Sequence, residues 1–207
     1  MDPTFYLTVF ATLFVIIDPI GLTPIFVALT QGQPAAQRRA VALRSLFIAA
    51  FVLTLFALLG EAVLGFVGIS MAAFRISGGL LLFLTALEML FERRTKRRED
   101  QAEEEPHPDP SVFPLATPLI AGPGSIATMI LLTGESSGDW GQIAVVILIM
   151  LGVLAMTMLF FLTSGLLERA LGRTGINVVT RLLGMLLAAL SVQFVLDGLR
   201  DFGLVPV

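Results

Sequence analysis

The chain has 207 residues, of which 56% are hydrophobic and 14% charged, with a mean hydropathy of +0.91. A water-soluble domain of this length needs more polar surface, so the composition indicates an integral membrane protein. The net charge of −3 argues against nucleic-acid binding, and the absence of cysteine from the sequence excludes disulfides and thiolate metal sites.

Six apolar stretches reach about the 20 residues that a helix needs to cross the hydrocarbon layer. The predicted spans are residues 5–30, 45–67, 71–91, 112–133, 142–166 and 178–199. Basic residues fall in the connections after the first, third and fifth spans, and only Arg75 and Arg200 lie elsewhere. Because cytoplasmic loops carry the excess of Lys and Arg, we expect these connections in the cytoplasm and both termini outside.

The first span is interrupted in its middle by the run Asp18-Pro19-Ile20-Gly21-Leu22-Thr23-Pro24. The two prolines lack a backbone donor, and the glycine has low helix propensity. Since unpaired peptide groups are costly in lipid, the break should be buried or line a cavity. We expect a discontinuous helix whose second half is capped by Thr23 and begins at Pro24.

A polar connection, residues 92–111, follows the third span and runs from a basic cluster through three glutamates to a proline-rich stretch. Nothing in it can bury an apolar face, so we expect a flexible cytoplasmic linker between two halves, residues 1–91 and 112–207. A segment that docks a partner is the alternative.

The fourth span is interrupted in the same way, by Ala121-Gly122-Pro123-Gly124-Ser125. Residues 17–30 and 120–133 align without a gap at an offset of 103, and we expect Ser125 to cap the restarted helix. Paired interrupted spans in corresponding positions of two halves point to a transporter binding site.

A second repeat supports the duplication, because residues 59–69 recur as residues 166–176 with Leu, Glu, Gly and Ile in the same spacing. Each unit holds three spans, an odd number, so the second copy must be inverted relative to the first. The predicted fold is an all-α polytopic membrane protein with six transmembrane helices in two inverted three-helix repeats, helices 1 and 4 being discontinuous.

Each repeat also predicts an ion pair, Glu61 with Arg75 and Glu168 with Arg181. Both arginines lie near the N-terminus of a span, where the helix dipole disfavours a cation, and a carboxylate would offset that.

Each break restarts a helix whose first N–H groups point toward the middle of the membrane, where they favour an anion such as a carboxylate. The carbonyl ends of the preceding half-helices favour a cation or an ammonium, so a zwitterionic amino acid suits both. The surrounding Gly and Ala leave room only for a small ligand. Alternatively, proline and glycine serve only close helix packing.

Asp18 is the only carboxylate near the middle of the first span, and its repeat mate is Ala121. It could contact a substrate ammonium, carry a proton, bind Na⁺ or cap the interrupted backbone. Thr85 and Ser191, at matching depths in spans three and six, either line the cavity or bond neighbouring helices. The single histidine, His107, lies in the linker, and no zinc-protease or serine-nucleophile motif is present, so we expect neither an enzyme nor a bound metal or cofactor.

Two motifs carry a resemblance to a known family. The run Asp18-Pro19-Ile20-Gly21-x-x-Pro24-Ile25-Phe26 and the run from Pro114 to Ile126 resemble the MarC family of membrane proteins. The resemblance implies a bacterial or archaeal inner-membrane transporter, with some members moving small neutral amino acids such as glycine and alanine. It places the binding site at the two interrupted segments.

The sequence therefore predicts a secondary transporter for small neutral amino acids, with H⁺ or Na⁺ as a possible coupling ion and the lipid bilayer, but no nucleic acid, as a partner. An ion channel and a membrane subunit without transport are the alternatives. The predicted substrate-binding residues are Asp18, Pro19, Gly21, Thr23, Gly122, Gly124, Ser125, Thr85 and Ser191.

Overall fold

A computed structural model describes residues 3–93, 109–134 and 139–204 of the chain, and in these ranges it contains helices and no strand. The helices are α1 (Pro3–Ile17), α2 (Pro19–Leu29), α3 (Ala35–Val67), α4 (Met71–Leu90), α5 (Ser111–Ile120), α6 (Pro123–Gly134), α7 (Trp140–Leu162) and α8 (Ser164–Asp201).

Five helical stretches are long and apolar enough to cross a membrane, and there are six if α5 and α6 count as one bent span. The helices α1 and α2 together make the first span, and α8 contributes its part from Thr174 to Asp201. The prediction of an all-α polytopic membrane protein is thereby confirmed. Most of the predicted linker, residues 94–108, lies outside the described residues.

Close packing between α4 and α8 forms the most extensive helix contact, and glycine makes it possible. A Cβ on Gly79 would lie 2.8 Å from the Ser191 carbonyl oxygen, and one on Gly198 would lie 3.0 Å from the Ala72 oxygen. As the residue numbers increase along α4, the numbers of the contacting residues decrease along α8, so the two helices are antiparallel. Small residues let their backbones approach, as is usual in membrane interiors.

Polar contacts gather the basic connections at one end of the bundle, which we call the basic end. Arg38 at the start of α3 bonds Ser164 at the α7–α8 junction, and Arg181 pairs with Glu92 after α4 at 2.7 Å. Arg44 pairs with Asp109, which precedes α5. The basic connections therefore share one side of the molecule, and their cytoplasmic location stays a prediction.

The predicted partner of Arg75 is wrong. The Arg75 guanidinium contacts Asp201 at the end of α8, at 2.6 Å, whereas Glu61 is exposed. Close packing of α4 against α8 brings the end of one helix beside the start of the other, which supplies a nearer carboxylate. Arg181 pairs with Glu92, and the Glu168 side chain lies outside the described residues.

Candidate functional site

The first interruption is a single residue, Asp18, in the left-handed conformation with φ 57°. The residue before a proline avoids the right-handed helical region, and Asp is among the few non-glycine residues that tolerate the left-handed one. Pro19 then takes the first position of α2, where its missing N–H is not needed. The chain thus leaves the helical conformation for one residue and re-enters it at once.

The Asp18 side chain caps α2. Its Oδ1 accepts a hydrogen bond from the Gly21 N–H at 3.0 Å, and the residue is only 1% exposed. A Cβ on Gly21 would lie 2.2 Å from Asp18 Oδ2, so only glycine fits while the carboxylate holds this position. The predicted cap at Thr23 is wrong, because Asp18 can supply the cap and Pro19 the first position one turn earlier.

Thr23 and Pro24 instead lie inside α2. The Thr23 hydroxyl is buried and donates to the Pro19 carbonyl at 2.9 Å. Pro24 has no N–H, so the Ile20 carbonyl loses its usual partner four residues ahead. The carbonyl of Ile20 is thereby left without its helical bond in the first turn of α2.

The second interruption is longer. Phe113 and Thr117, each followed by proline, are extended, and the Ala121 N–H reaches back five residues to the Ala116 carbonyl at 2.9 Å. The helix α6 begins at Pro123 and is bent by 53° from α5. Ser125 therefore lies within the first turn of α6, and the prediction that it caps this helix is wrong, since Pro123 takes the first helical position.

The two interruptions lie against each other. A Cβ on Gly124 would be 2.9 Å from Ile16 Cδ1 and 3.7 Å from Leu82 on α4, so α6 starts in direct contact with the end of α1. Ile16 precedes Asp18 by two residues and is 1% exposed. Gly122 is also tightly placed, because its Cβ would lie 2.4 Å from the Pro118 carbonyl oxygen.

The electrostatics of the two restarted helices differ. The N-terminus of α2 already holds the Asp18 carboxylate, whereas Ala121 occupies the corresponding position before α6. The first bond of α6 runs from the Ile126 N–H to the Gly122 carbonyl at 2.9 Å. The amides of Gly124 and Ser125 therefore precede the helical bonding, and they carry the partial positive charge of a helix N-terminus.

One buried hydroxyl near the second break escaped the sequence reasoning. Thr128 is fully buried, and its Oγ1 has no hydrogen-bond partner among the described residues. It follows Gly124 by four residues and so lies on the same face of α6. The sequence did contain a signal for this residue. Thr128 places a hydroxyl one turn after the break, where the corresponding residue of the first repeat is the apolar Ile25.

Thr85 and Ser191 bond their own helices. The Thr85 hydroxyl donates to the Leu81 carbonyl at 3.0 Å, and the Ser191 hydroxyl donates to the Ala188 carbonyl at 2.7 Å. Ser191 is fully buried in the α4–α8 contact, while Thr85 is half-buried. Their participation in a binding site stays a prediction.

No group of three or more His, Asp or Glu side chains that could hold a metal ion occurs in residues 3–93, 109–134 and 139–204.

Known proteins are similar to this chain over nearly its whole length. The family described as MarC family integral membrane protein matches residues 3–202. The chain is 38% identical to UPF0056 membrane protein MJ1677 of Methanocaldococcus jannaschii, covering 97% of this chain and 98% of the relative. It is 36% identical to UPF0056 membrane protein YvbG of Bacillus subtilis, covering 99% and 97%.

A third relative, UPF0056 inner membrane protein YhgN of Escherichia coli K12, is 35% identical, with 91% of this chain and 92% of the relative covered. No solved structure matches the chain significantly. The family match and the alignments with these relatives each cover nearly all of the chain. The chain therefore belongs to the MarC family of integral membrane proteins.

Proposed function

We propose that this protein is a secondary transporter for small neutral amino acids of the glycine and alanine type. The substrate binds where the two interrupted spans meet. The proposal depends on one observation, the contact of Gly124 at the second interruption with Ile16 beside the first. This contact brings two motifs that are distant in sequence together in the buried interior. Gly/Pro-interrupted spans that meet inside a bundle are typical of carrier binding sites.

The arrangement of helices supports two inverted repeats. The helix α3 packs on α5 and α6, and its repeat counterpart α7 packs on α1 and α2. The helix α4 packs on α6, as its counterpart α8 packs on α2. The remaining large contacts, α4 with α8 and α3 with α7, join counterparts to each other. These pairings are those expected for two units related by a pseudo-two-fold axis in the membrane plane.

The chemistry of the site assigns the two ends of the substrate. Because Asp18 already neutralises the start of α2, the substrate carboxylate belongs at the start of α6, against the amides of Gly124 and Ser125. The substrate ammonium belongs on the opposite side, toward the Asp18 carboxylate and the freed Ile20 carbonyl. The substrate is small, because the packing beside Gly21 and Gly124 is so tight that a Cβ at either position would overlap Asp18 Oδ2 or Ile16 Cδ1.

We further propose that the basic end faces the cytoplasm, with both termini outside and the molecule in a bacterial or archaeal inner membrane. Eleven of the thirteen Lys and Arg residues fall in the connections at that end by sequence, all except Arg75 and Arg200. A chain without cysteine allows a direct test, since single cysteines can be introduced in the 92–111 linker and near Thr4. A membrane-impermeant maleimide added to intact cells should label the second position and not the first.

Counterflow in liposomes tests the transport proposal. Purified protein is reconstituted in vesicles loaded with unlabelled glycine, and uptake of external labelled glycine is followed. Accumulation above equilibrium identifies a carrier, an electrical conductance identifies a channel, and neither result identifies a subunit without transport. Gly124→Ala should reduce exchange, because its Cβ would press on Ile16, whereas Gly152→Ala on α7, with nothing within 4 Å, should exchange normally.

A further inference from the structure

A cavity of about 520 Å³ opens at the basic end, between the second half of α2, the α2–α3 connection and Gly172. At Gly172, with φ 60°, the helix α8 is kinked. The lining of the cavity includes Pro24, Ala28, Gln33, Arg38 and Gly172. The volume falls within the range of small-molecule sites, roughly 300–1,000 Å³. Pro24 lies six residues after Asp18, or about 9 Å along the helix axis, so the cavity leads from the basic end toward the first interruption.

Arg38 faces this cavity, and a cation–π contact with an aromatic ring holds its guanidinium in place. The Arg38 guanidinium carbon lies 5.6 Å from the centre of the Phe26 ring, and that ring stacks on Phe161 at 4.3 Å. Phe26 and Phe161 are each 1% exposed, so the guanidinium rests on the packed interior. A planar guanidinium fixed in this way is a pre-organised carboxylate receptor.

Within the described part of the chain, most of the hydrogen-bonding capacity of Arg38 is unused. Its Nη2 donates to the Ser164 hydroxyl at 3.3 Å, and no carboxylate among the described residues pairs with it. Guanidinium offers five N–H donors, so the Ser164 contact leaves most of the fork available.

An acceptor lies in the same lining. The Gln33 side-chain oxygen Oε1 is buried and has no hydrogen-bond partner among the described residues, although Gln33 borders the cavity. An unsatisfied buried carbonyl destabilises the folded protein, and a hydrogen-bond donor on a ligand would relieve that cost. A guanidinium and a free amide carbonyl on one small cavity complement the carboxylate and the ammonium of a zwitterion.

We infer that this cavity is a second amino-acid site, a loading site on the basic side of the membrane, in which Arg38 binds the substrate carboxylate and Gln33 Oε1 binds its ammonium. This inference rests on the proposed transport function and adds a site distinct from the meeting point of the interruptions. Its residues determine affinity from one side of the membrane only, because the cavity opens at one end of the bundle.

The test measures labelled-glycine exchange separately in right-side-out and inside-out vesicles from the same cells. Arg38→Gln should raise the half-saturation concentration at least tenfold in the vesicles that expose the basic end, and leave it unchanged in the other vesicles. Arg39→Gln is the matched control, since this neighbouring arginine is exposed and does not line the cavity, and it should change neither value. Ser164→Ala removes the bond to Arg38 but keeps the guanidinium, and it should also leave both values unchanged.

A second readout separates ligand binding from a structural role. Glycinamide lacks the carboxylate, so it should compete poorly with glycine at the basic end of the wild-type protein. In Arg38→Gln this preference should shrink by the same factor as the affinity. If Arg38→Gln fails to fold, Gln33→Met decides by the same one-sided criterion.

Half-saturation concentrations that stay at the wild-type values in both vesicle types for Arg38→Gln and Gln33→Met would overturn the inference. A rise over the wild-type value in both vesicle types would overturn it as well. Either result leaves the transport proposal intact. Absence of glycine exchange by the wild-type protein would overturn the proposed function and the loading site with it.

Discussion

The contact between Gly21 and the Asp18 carboxylate allows a sharp test of the first interruption. In Gly21→Ala the new Cβ would lie 2.2 Å from Asp18 Oδ2, so the carboxylate must leave its cap. Loss of the cap bond costs about 1–2 kcal/mol, and an overpacked methyl costs about 1–3 kcal/mol. Moving the Asp18 side chain breaks the cap bond but also relieves the overlap with the new methyl, so the two costs do not add in full. We expect the free energy of unfolding to fall by about 2–4 kcal/mol in total.

The assay is reversible unfolding of the purified protein in mixed micelles, combined with a double-mutant cycle. Asp18→Ala removes the cap and the obstacle together, and it should cost about 1–2 kcal/mol. The double variant Asp18→Ala with Gly21→Ala should be no less stable than Asp18→Ala alone, because nothing remains for the methyl to meet. Gly152→Ala, in open space within a helix, should be neutral or stabilising by up to about 1 kcal/mol.

Additive effects of the two substitutions would refute this reasoning, since independent sites add and sites in contact do not. A Gly21→Ala protein as stable as the wild type would refute it as well, because the cap would then have to persist beside the methyl.

Three further predictions concern other parts of the chain. Asp18→Asn should unfold with nearly wild-type stability, because its amide oxygen can still accept the cap bond, whereas Asp18→Ala should not; thermal unfolding distinguishes them. Thr128→Val should be neutral or stabilising, since it removes a buried hydroxyl without a described partner, yet it should slow glycine exchange if that hydroxyl serves the substrate. The hydrogen bonds that Asp109 accepts from the Ser111 hydroxyl and N–H lower the pKa of its carboxyl from the ordinary 3.8. Its contribution to stability should therefore be complete above that value and disappear as the pH falls through the lowered pKa, which carboxyl NMR titration can follow.

That the chain is a helical membrane protein with five or six spans followed from composition and length, because a helix that crosses lipid needs a long apolar stretch. The interruptions at Asp18 and at Gly122 to Gly124 coincide with the two Pro/Gly-rich runs, for the same reason that proline removes backbone donors. Whether they act as the discontinuous helices of a carrier stays a prediction.

Details of register were beyond the sequence. Both Pro19 and Pro24 suit the first position of a helix, and local preferences alone did not show that Asp18 would cap the earlier one. The pairing of Arg75 with Asp201, 126 residues away, depends on how α4 packs against α8, which no local pattern encodes. The cavity beside Arg38 was not predicted from the sequence. An arginine that follows a membrane span is ordinarily interpreted as a determinant of membrane orientation and not as a binding residue.

Ligand-dependent thermal stabilisation of the purified protein tests the central claim most directly, because a ligand that binds only the folded state stabilises it by about 2.7 kcal/mol at 100 times its dissociation constant. The account predicts that glycine and alanine raise the melting temperature of the wild-type protein and of Gly152→Ala, but not of Gly124→Leu, whose side chain would fill the meeting point of the interruptions. If no small neutral amino acid shifts the wild-type melting temperature, or if Gly124→Leu responds as fully as the wild type, the two interruptions do not form an amino-acid site.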